Sequence, residues 1–378
     1  MPLSISYSPK LGTALFIGDN YLNRLTAFLV FLHLIVLLAL ASCTKQSSNT
    51  NSINTSSIQD VPLRVGIAPY QELALLINEK NLGLEKKYNT KIEILTMPWE
   101  ELLPAVASAG HTIDIGFDNL ADYMAKTENL NKANDDPILF LYPAWDFHGG
   151  GFVTFNPAVP ELNKQNIENK ELVKKFFGFK IGVQKNSCCH LLLWYLAHRT
   201  GMMFSRLPLL DSTLNDGFLA AQNGSLDIAS AGLTQRTEAI KRHGRVVLTM
   251  DALNLIDPGG FICKQSTYQK RKKEIESLIR MWYDCSHYVL SDLDHHSNET
   301  LAYLKANAST QYTLDEFKKA LSQEYIPQSI AEAQKEIVSG KGQYSINEIG
   351  KLCNQYLLDI GATKTAQPLP HMITIKSD

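Results

Sequence analysis

One short sequence pattern occurs twice in this chain. Leu63-Arg64-Val65-Gly66-Ile67 is mirrored by Phe179-Lys180-Ile181-Gly182-Val183. A second pair accompanies it, Gly110-His111-Thr112-Ile113-Asp114-Ile115 and Asn223-Gly224-Ser225-Leu226-Asp227-Ile228. Val65 and Ile181 lie 116 positions apart, and Asp114 and Asp227 lie 113 apart. Two such similar offsets point to one construction used twice, and so to two structurally alike lobes. Gly150-Gly151-Phe152-Val153 and Gly259-Gly260-Phe261-Ile262 form a third pair, each placing glycines before a β-run at the end of a unit. Because glycine tolerates backbone angles that other residues resist, these two segments are expected to be hinge crossings.

Within the first unit the chain alternates β-rich runs with helical patterns. Strands are expected at Leu63–Ile67, Lys91–Leu95 and Ile113–Phe117, with helices at Leu73–Asn81 and Glu100–Ala109 between them. This β-α-β-α-β order is the signature of α/β construction on a parallel sheet. A chain of 378 residues, 45% hydrophobic and 20% charged, can bury a core in each of two lobes. Its Lys+Arg count of 36 against Asp+Glu of 38 leaves a formal net charge of -2. That balance supplies no field for gathering nucleic acid, which is therefore not an expected partner.

The N-terminal region is of another kind. Arg24 precedes an apolar stretch from Leu25 to Ala41, broken by Thr26 and His33 and ending in Leu40-Ala41-Ser42-Cys43. A short apolar core behind a positive charge, closed by small residues, has the form of a secretory signal, and it is near the lower limit for spanning a bilayer. From Thr44 to Asp60 the sequence is rich in Ser, Thr, Asn and Gln. Such a segment cannot bury enough apolar surface to fold and is expected to be a tether. The expected layout is a signal over 1–43, a tether over 44–60, lobe one over 61–150 plus 258–378, and lobe two over 151–257.

The segments "LRVGIAPY", "LGLEKKYNTKIEIL", "HTIDIGFDNLADYM", "FKIGVQKNSCCHLLLWYL", "LDIASAG" and "IGKLCNQYLLDIGA" stand in an order that resembles the nitrate/sulfonate/taurine and thiamine-precursor group of periplasmic solute-binding proteins. The resemblance runs from about Val61 to Ile373. It implies an α/β, type II periplasmic-binding-protein fold with two similar lobes joined by a two-segment hinge. It also implies that the chain is the substrate-binding component of an ABC importer, whose partners are a small-molecule ligand, a permease and an ATPase. The Leu40-Ala41-Ser42-Cys43 ending resembles a lipobox, which implies cleavage before Cys43, lipid on its sulfur, and anchoring to a membrane on the periplasmic side of the envelope. The sequence departs from the group at Cys188-Cys189-His190, where a run of small hydroxyl residues is usual. That departure bears on ligand chemistry and not on the fold.

Ligands of open α/β sheets sit outside the carboxyl ends of strands, at the amino ends of the following helices. The loops after the first lobe's strands nominate Pro69, Tyr70 and Gln71, then Trp99, then Asp118 and Asn119. In the second lobe the nominees are Asn186, Ser187 and Cys188 at a helix start, and Thr234, Gln235 and Arg236 after "LDIASAG". Tyr142 and Trp145 approach the first crossing. Each has a plainer role open to it: Trp99 and Trp145 as core seals, Asp118, Asn186 and Ser187 as helix caps, Arg236 as a solvated surface charge. Asp114 and Asp227 are expected to close turns before strands without touching ligand.

Five cysteines follow Cys43, an odd number, so at least one is free or paired outside the chain. Cys188 at a helix start would have the lowered thiol pKa a nucleophile needs, but neighbours in sequence on a helix do not face one another. No catalytic residue and no cofactor are expected. His295-His296, with Asp292 and Asp294, lacks the ligand spacing of a zinc site, and no metal is expected. An enzyme on the same fold and a sensor domain that hands its closed form to a signalling partner are the rival classes.

Overall fold

The computed structural model describes residues 61–108, 110, 112–132, 135–308, 311–339 and 345–376. The signal-like stretch, Cys43 and the tether lie outside the described residues. Among the described residues, no helix is long and apolar enough to cross a membrane.

The first repeat unit opens with β1 (Leu63–Ile67), which pairs in parallel with β2 (Ile92–Thr96). The expected third strand is divided between two partners. Ile115 bridges Val65 of β1 in parallel, and the chain then continues as β3 (Gly116–Asn119), antiparallel to β10 (Asp257–Lys264). β10 also pairs antiparallel with β4 (Ile138–Phe147), whose other edge carries β11 (Glu324–Tyr325), giving the order β11-β4-β10-β3. The expected all-parallel unit is thus extended by antiparallel strands from the returning chain. The second unit builds a separate five-stranded sheet of order β7-β6-β8-β5-β9. There β6 (Ile181–Val183) runs parallel to β7 (Leu209–Asp211) and β8 (Ile228–Ala231). β5 (Gly151–Thr154) runs antiparallel to β8 and to β9 (Arg245–Thr249).

The sequence repeat has a structural cause. The amides of Asp114 and Ile115 both donate to the Arg64 carbonyl at 2.9 and 3.2 Å, while the Arg64 amide donates to Asp114 Oδ2 at 2.9 Å. In the second unit the amides of Asp227 and Ile228 donate to the Lys180 carbonyl at 3.0 and 3.1 Å, and the Lys180 amide donates to Asp227 Oδ2 at 3.0 Å. The same reciprocal hydrogen bonds thus lock the entry to the inner strand of each unit. A side chain at Gly66 would sit 2.5 Å from the Ile113 Cδ1 methyl, and one at Gly182 would sit 2.4 Å from the Leu226 Cδ1 methyl. Both glycines therefore admit the aliphatic residue that precedes the turn aspartate.

The glycines expected at the hinges are explained differently. Gly259 and Gly260 lie inside β10, where a Cβ on Gly259 would approach Trp145 Cε2 to 2.2 Å and one on Gly260 would approach the Tyr142 carbonyl to 2.4 Å. Neither has a positive φ; the described glycines that do are Gly83, Gly201, Gly224 and Gly361. Close packing requires these two glycines, not a bend. The chain passes between the two sheets at 148–150, just before β5, and at 250–256, just before β10.

The core beneath the first sheet is aromatic. Trp282, on the helix Gln265–Ser291, is fully buried, with Phe117 of β3 at 5.4 Å between ring centroids, Phe261 of β10 at 6.0 Å and Trp145 of β4 at 6.1 Å. One side chain thus ties a long helix to three neighbouring strands. The expected helix at Leu73–Asn81 is a 3₁₀ segment over Leu73–Glu79, and its Leu73, Ala74, Leu75 and Leu76 are buried without exception. A segment buried on nearly every side, with Asn78 and Glu79 buried as well, shows no amphipathic stripe, so its helical type could not be read from a period.

Candidate functional site

A cavity opens where the strand ends of both repeat units meet. Its lobe-one wall comes from three loops. After β1 the chain turns through Tyr70, Gln71 and Glu72 into the 3₁₀ segment; after β2, Pro98 precedes the helix Trp99–Ala107 and sets Trp99 at its first position; β3 ends in Asn119, and the helix Leu120–Lys132 brings Asp122 back to the wall. Proline before a helix fixes the entry angle because its ring locks φ. Tyr70 and Trp99 lie with ring centroids 6.1 Å apart and planes tilted by 36°.

The facing wall is built the same way. Gln184 follows β6, and Ser187 caps the helix Cys188–Thr200 by accepting from the His190 amide at 3.3 Å while its hydroxyl donates to the Gln184 carbonyl at 2.7 Å. Cys188 and Cys189 occupy the first two helical positions. Gly232 after β8 starts the helix Leu233–Lys241, where Thr234 shares a hydrogen bond of 3.0 Å with the Tyr312 hydroxyl. Backbone N–H groups at helix starts lack intrahelical partners and carry partial positive charge; here the Ser187 hydroxyl meets the His190 amide and Asp257 Oδ1 meets the Ala121 amide.

Of the nominated residues, the structure brings Tyr70, Gln71, Trp99 and Asn119 together with Ser187, Cys188 and Thr234 around one cavity. Others need correction. Trp145 is buried among Phe117 and Trp282 below the sheet, because its place on β4 turns it to the core face. Tyr142 is likewise buried and donates to the Ile330 carbonyl at 3.3 Å. Asp118 lies behind the wall, its Oδ1 accepting from the Asn119 amide at 3.0 Å. Arg236 faces away, its Nη1 donating to the Gly149 carbonyl at 2.7 Å at the first crossing. Burial pulls that guanidinium down to about 10. Asn186 is absent from the wall and adopts a left-handed φ of 59°, which its short polar side chain tolerates, so it shapes the turn before Ser187. Gln235 donates to Asn215 Oδ1 at 3.2 Å and lines an adjoining depression together with Pro69.

Several wall residues escaped the sequence reading. Glu72 adjoins the nominated Gln71, and Asp122 lies four positions past Asp118, in the first turn of the helix that follows β3. Glu72 is 3% exposed. Burial pushes its carboxyl up to about 7. Behind it the half-buried Glu324 of β11 has its carboxyl pushed well above the usual carboxylate range by desolvation and by Glu72 beside it, and its Oε1 accepts from Gln71 Nε2 at 2.6 Å. Glu324 could not have been found from sequence, being brought in by a strand 253 residues away. Asp122 is paired with Lys126 at 2.8 Å.

The thiols do not form the pair that nucleophilic chemistry would need. Contact with Cys189 and burial hold the Cys188 thiol well above its ordinary range. His190 is turned away, its Nδ1 2.6 Å from the Tyr356 hydroxyl, and burial holds it neutral by drawing it down to about 4. Cys188, Cys189, Cys263, Cys285 and Cys353 are all free thiols.

No protein-family model matches the chain, and no curated protein matches it in sequence. Solved structures do match it in shape. The periplasmic aliphatic sulphonate binding protein SsuA from Escherichia coli superposes with a TM-score of 0.57 at 14% identity, over 84% of this chain and 94% of that one. The alkanesulfonate-binding protein SsuA from Xanthomonas axonopodis, bound to MOPS, gives 0.58 at 14% identity over 82% and 95%. A Candida albicans gene product with the generic periplasmic binding protein fold gives 0.59 at 13% identity over 84% and 99%. The chain has the α/β periplasmic-binding-protein fold.

Proposed function

We propose that this chain is the solute-binding component of an ABC importer, capturing a small molecule in the cavity and presenting it to a permease driven by an ATPase. The observation that carries this reading is the cavity itself, walled by equivalent strand-to-helix turns of two repeated units, where open α/β sheets place their ligands. In this reading lobe one is 61–150 plus 258–378, lobe two is 151–257, and the crossings at 148–150 and 250–256 are the hinge. Ligand touching both lobes favours the closed form because only that form offers both sets of contacts. The likeness to sulfonate-binding proteins supports the role. The Leu40-Ala41-Ser42-Cys43 sequence supports a lipid on Cys43 and a place on the periplasmic side of the envelope.

Thermal unfolding of the purified protein tests the reading. A panel of small amines, amino acids, aliphatic sulfonates, pyrimidines and nitrate should contain a solute that raises Tm with concentration, by about 2.7 kcal/mol of stability at a hundred times Kd. A Tm that no member of the panel moves would count against it.

A further inference from the structure

We infer that the cavity takes a solute carrying a protonated amine beside an apolar or aromatic body, an inference that rests on the solute-binding reading. Its described walls hold two carboxyl residues, Glu72 and Asp122, and no Lys, Arg or His. Asp122 already has Lys126 as its counter-ion. Among the described residues Glu72 has no ion-pair partner, and its Oε2 is buried without a hydrogen-bond partner. Two neighbours on the wall are alike: Gln71 Oε1 and Asn119 Oδ1 are buried acceptors with no donor. The Gln71 amide is oriented by its bond to Glu324, so the oxygen is the atom left over. All three residues are more than nine-tenths buried, with exposures of 3%, 2% and 7%.

Three residues of one cavity wall each carry a buried acceptor without a donor, and together they call for a ligand rich in donors. A buried acceptor left without a donor carries its desolvation penalty uncompensated, whereas an ammonium group brings three N–H donors and a charge that Glu72 would meet. A sulfonate or nitrate brings only acceptors. It could dock against the backbone N–H groups at the helix starts, but it would leave the Glu72 side of the cavity unmatched and face its carboxylate. The apolar side is supplied by Tyr70 and Trp99, whose rings can also hold a cation over their faces.

Three probes of one shape separate the possibilities: benzylamine, benzyl alcohol and phenylmethanesulfonate, read by calorimetry and Tm shift at pH 8, above the raised Glu72 carboxyl. The wild-type protein should bind benzylamine at least tenfold more tightly than either of the others. Glu72→Gln, which keeps the shape and removes the charge, should abolish that preference. Tighter binding of the sulfonate would overturn the amine inference and leave solute binding intact. Binding of none of the three would overturn the amine inference and count against solute binding as well. Benzylamine affinity unchanged in Glu72→Gln would overturn the role of this carboxylate.

Discussion

Trp282→Ala should lower the stability of the protein by about 3–5 kcal/mol, the range for removing a large aromatic side chain from a packed core. The ring is fully buried, with Phe117, Trp145 and Phe261 within 6.1 Å of it centroid to centroid, one from each of three adjacent strands. Its indole N–H reaches the Ala144 carbonyl at 3.4 Å, a long bond that contributes little beside the packing. Gly259 seats the Trp145 ring closely against β10, where a Cβ would approach its Cε2 to 2.2 Å, so the ring beside the deleted indole is already packed against the strand. Urea unfolding should show a lower midpoint with an unchanged slope. A loss below about 1.5 kcal/mol would mean that the aromatic cluster repacks and is not the keystone of this sheet.

Trp99→Ala should leave folding nearly intact and weaken ligand binding about thirtyfold, equivalent to about 2 kcal/mol. Trp99 is half-buried at the first turn of its helix and lies on the cavity wall, with Tyr70 as its ring partner. A residue so placed has one face on the protein and one toward the cavity, so truncation removes more from the complex than from the free fold. Calorimetric titration with the solute found by thermal screening measures the effect. A variant that fails to fold, or one that binds as tightly as the parent, would contradict this role.

The parts of the molecule legible in the sequence were those governed by local rules. The repeated Arg64/Asp114 and Lys180/Asp227 figures needed the same residues in the same order, so the duplication could be read directly. The strand-end loops named much of the cavity wall because strand, turn and helix start are contiguous in the chain. What failed depended on distant partners. The third strand was misplaced because Ile115 pairs with β1 while Gly116 to Asn119 pair with β10, and nothing local announces a strand that changes partner. Trp145 precedes the crossing and so reads from sequence as a cleft residue, yet the alternation of β4 turns it inward. The Gly259-Gly260 pair suggested a bend, but glycine in a strand interior equally marks the close approach of another group, here the Trp145 ring. Glu324, which faces Glu72 behind the wall, enters through a two-residue strand whose position no period could reveal.

In the proposed function two lobes close around a solute held between them. Small-angle X-ray scattering of the purified protein, with and without the solute that raises its Tm most, tests this directly. A smaller radius of gyration is expected with the solute, as the two sheets rotate toward one another about the segments at 148–150 and 250–256. A radius unchanged at saturating solute would contradict it.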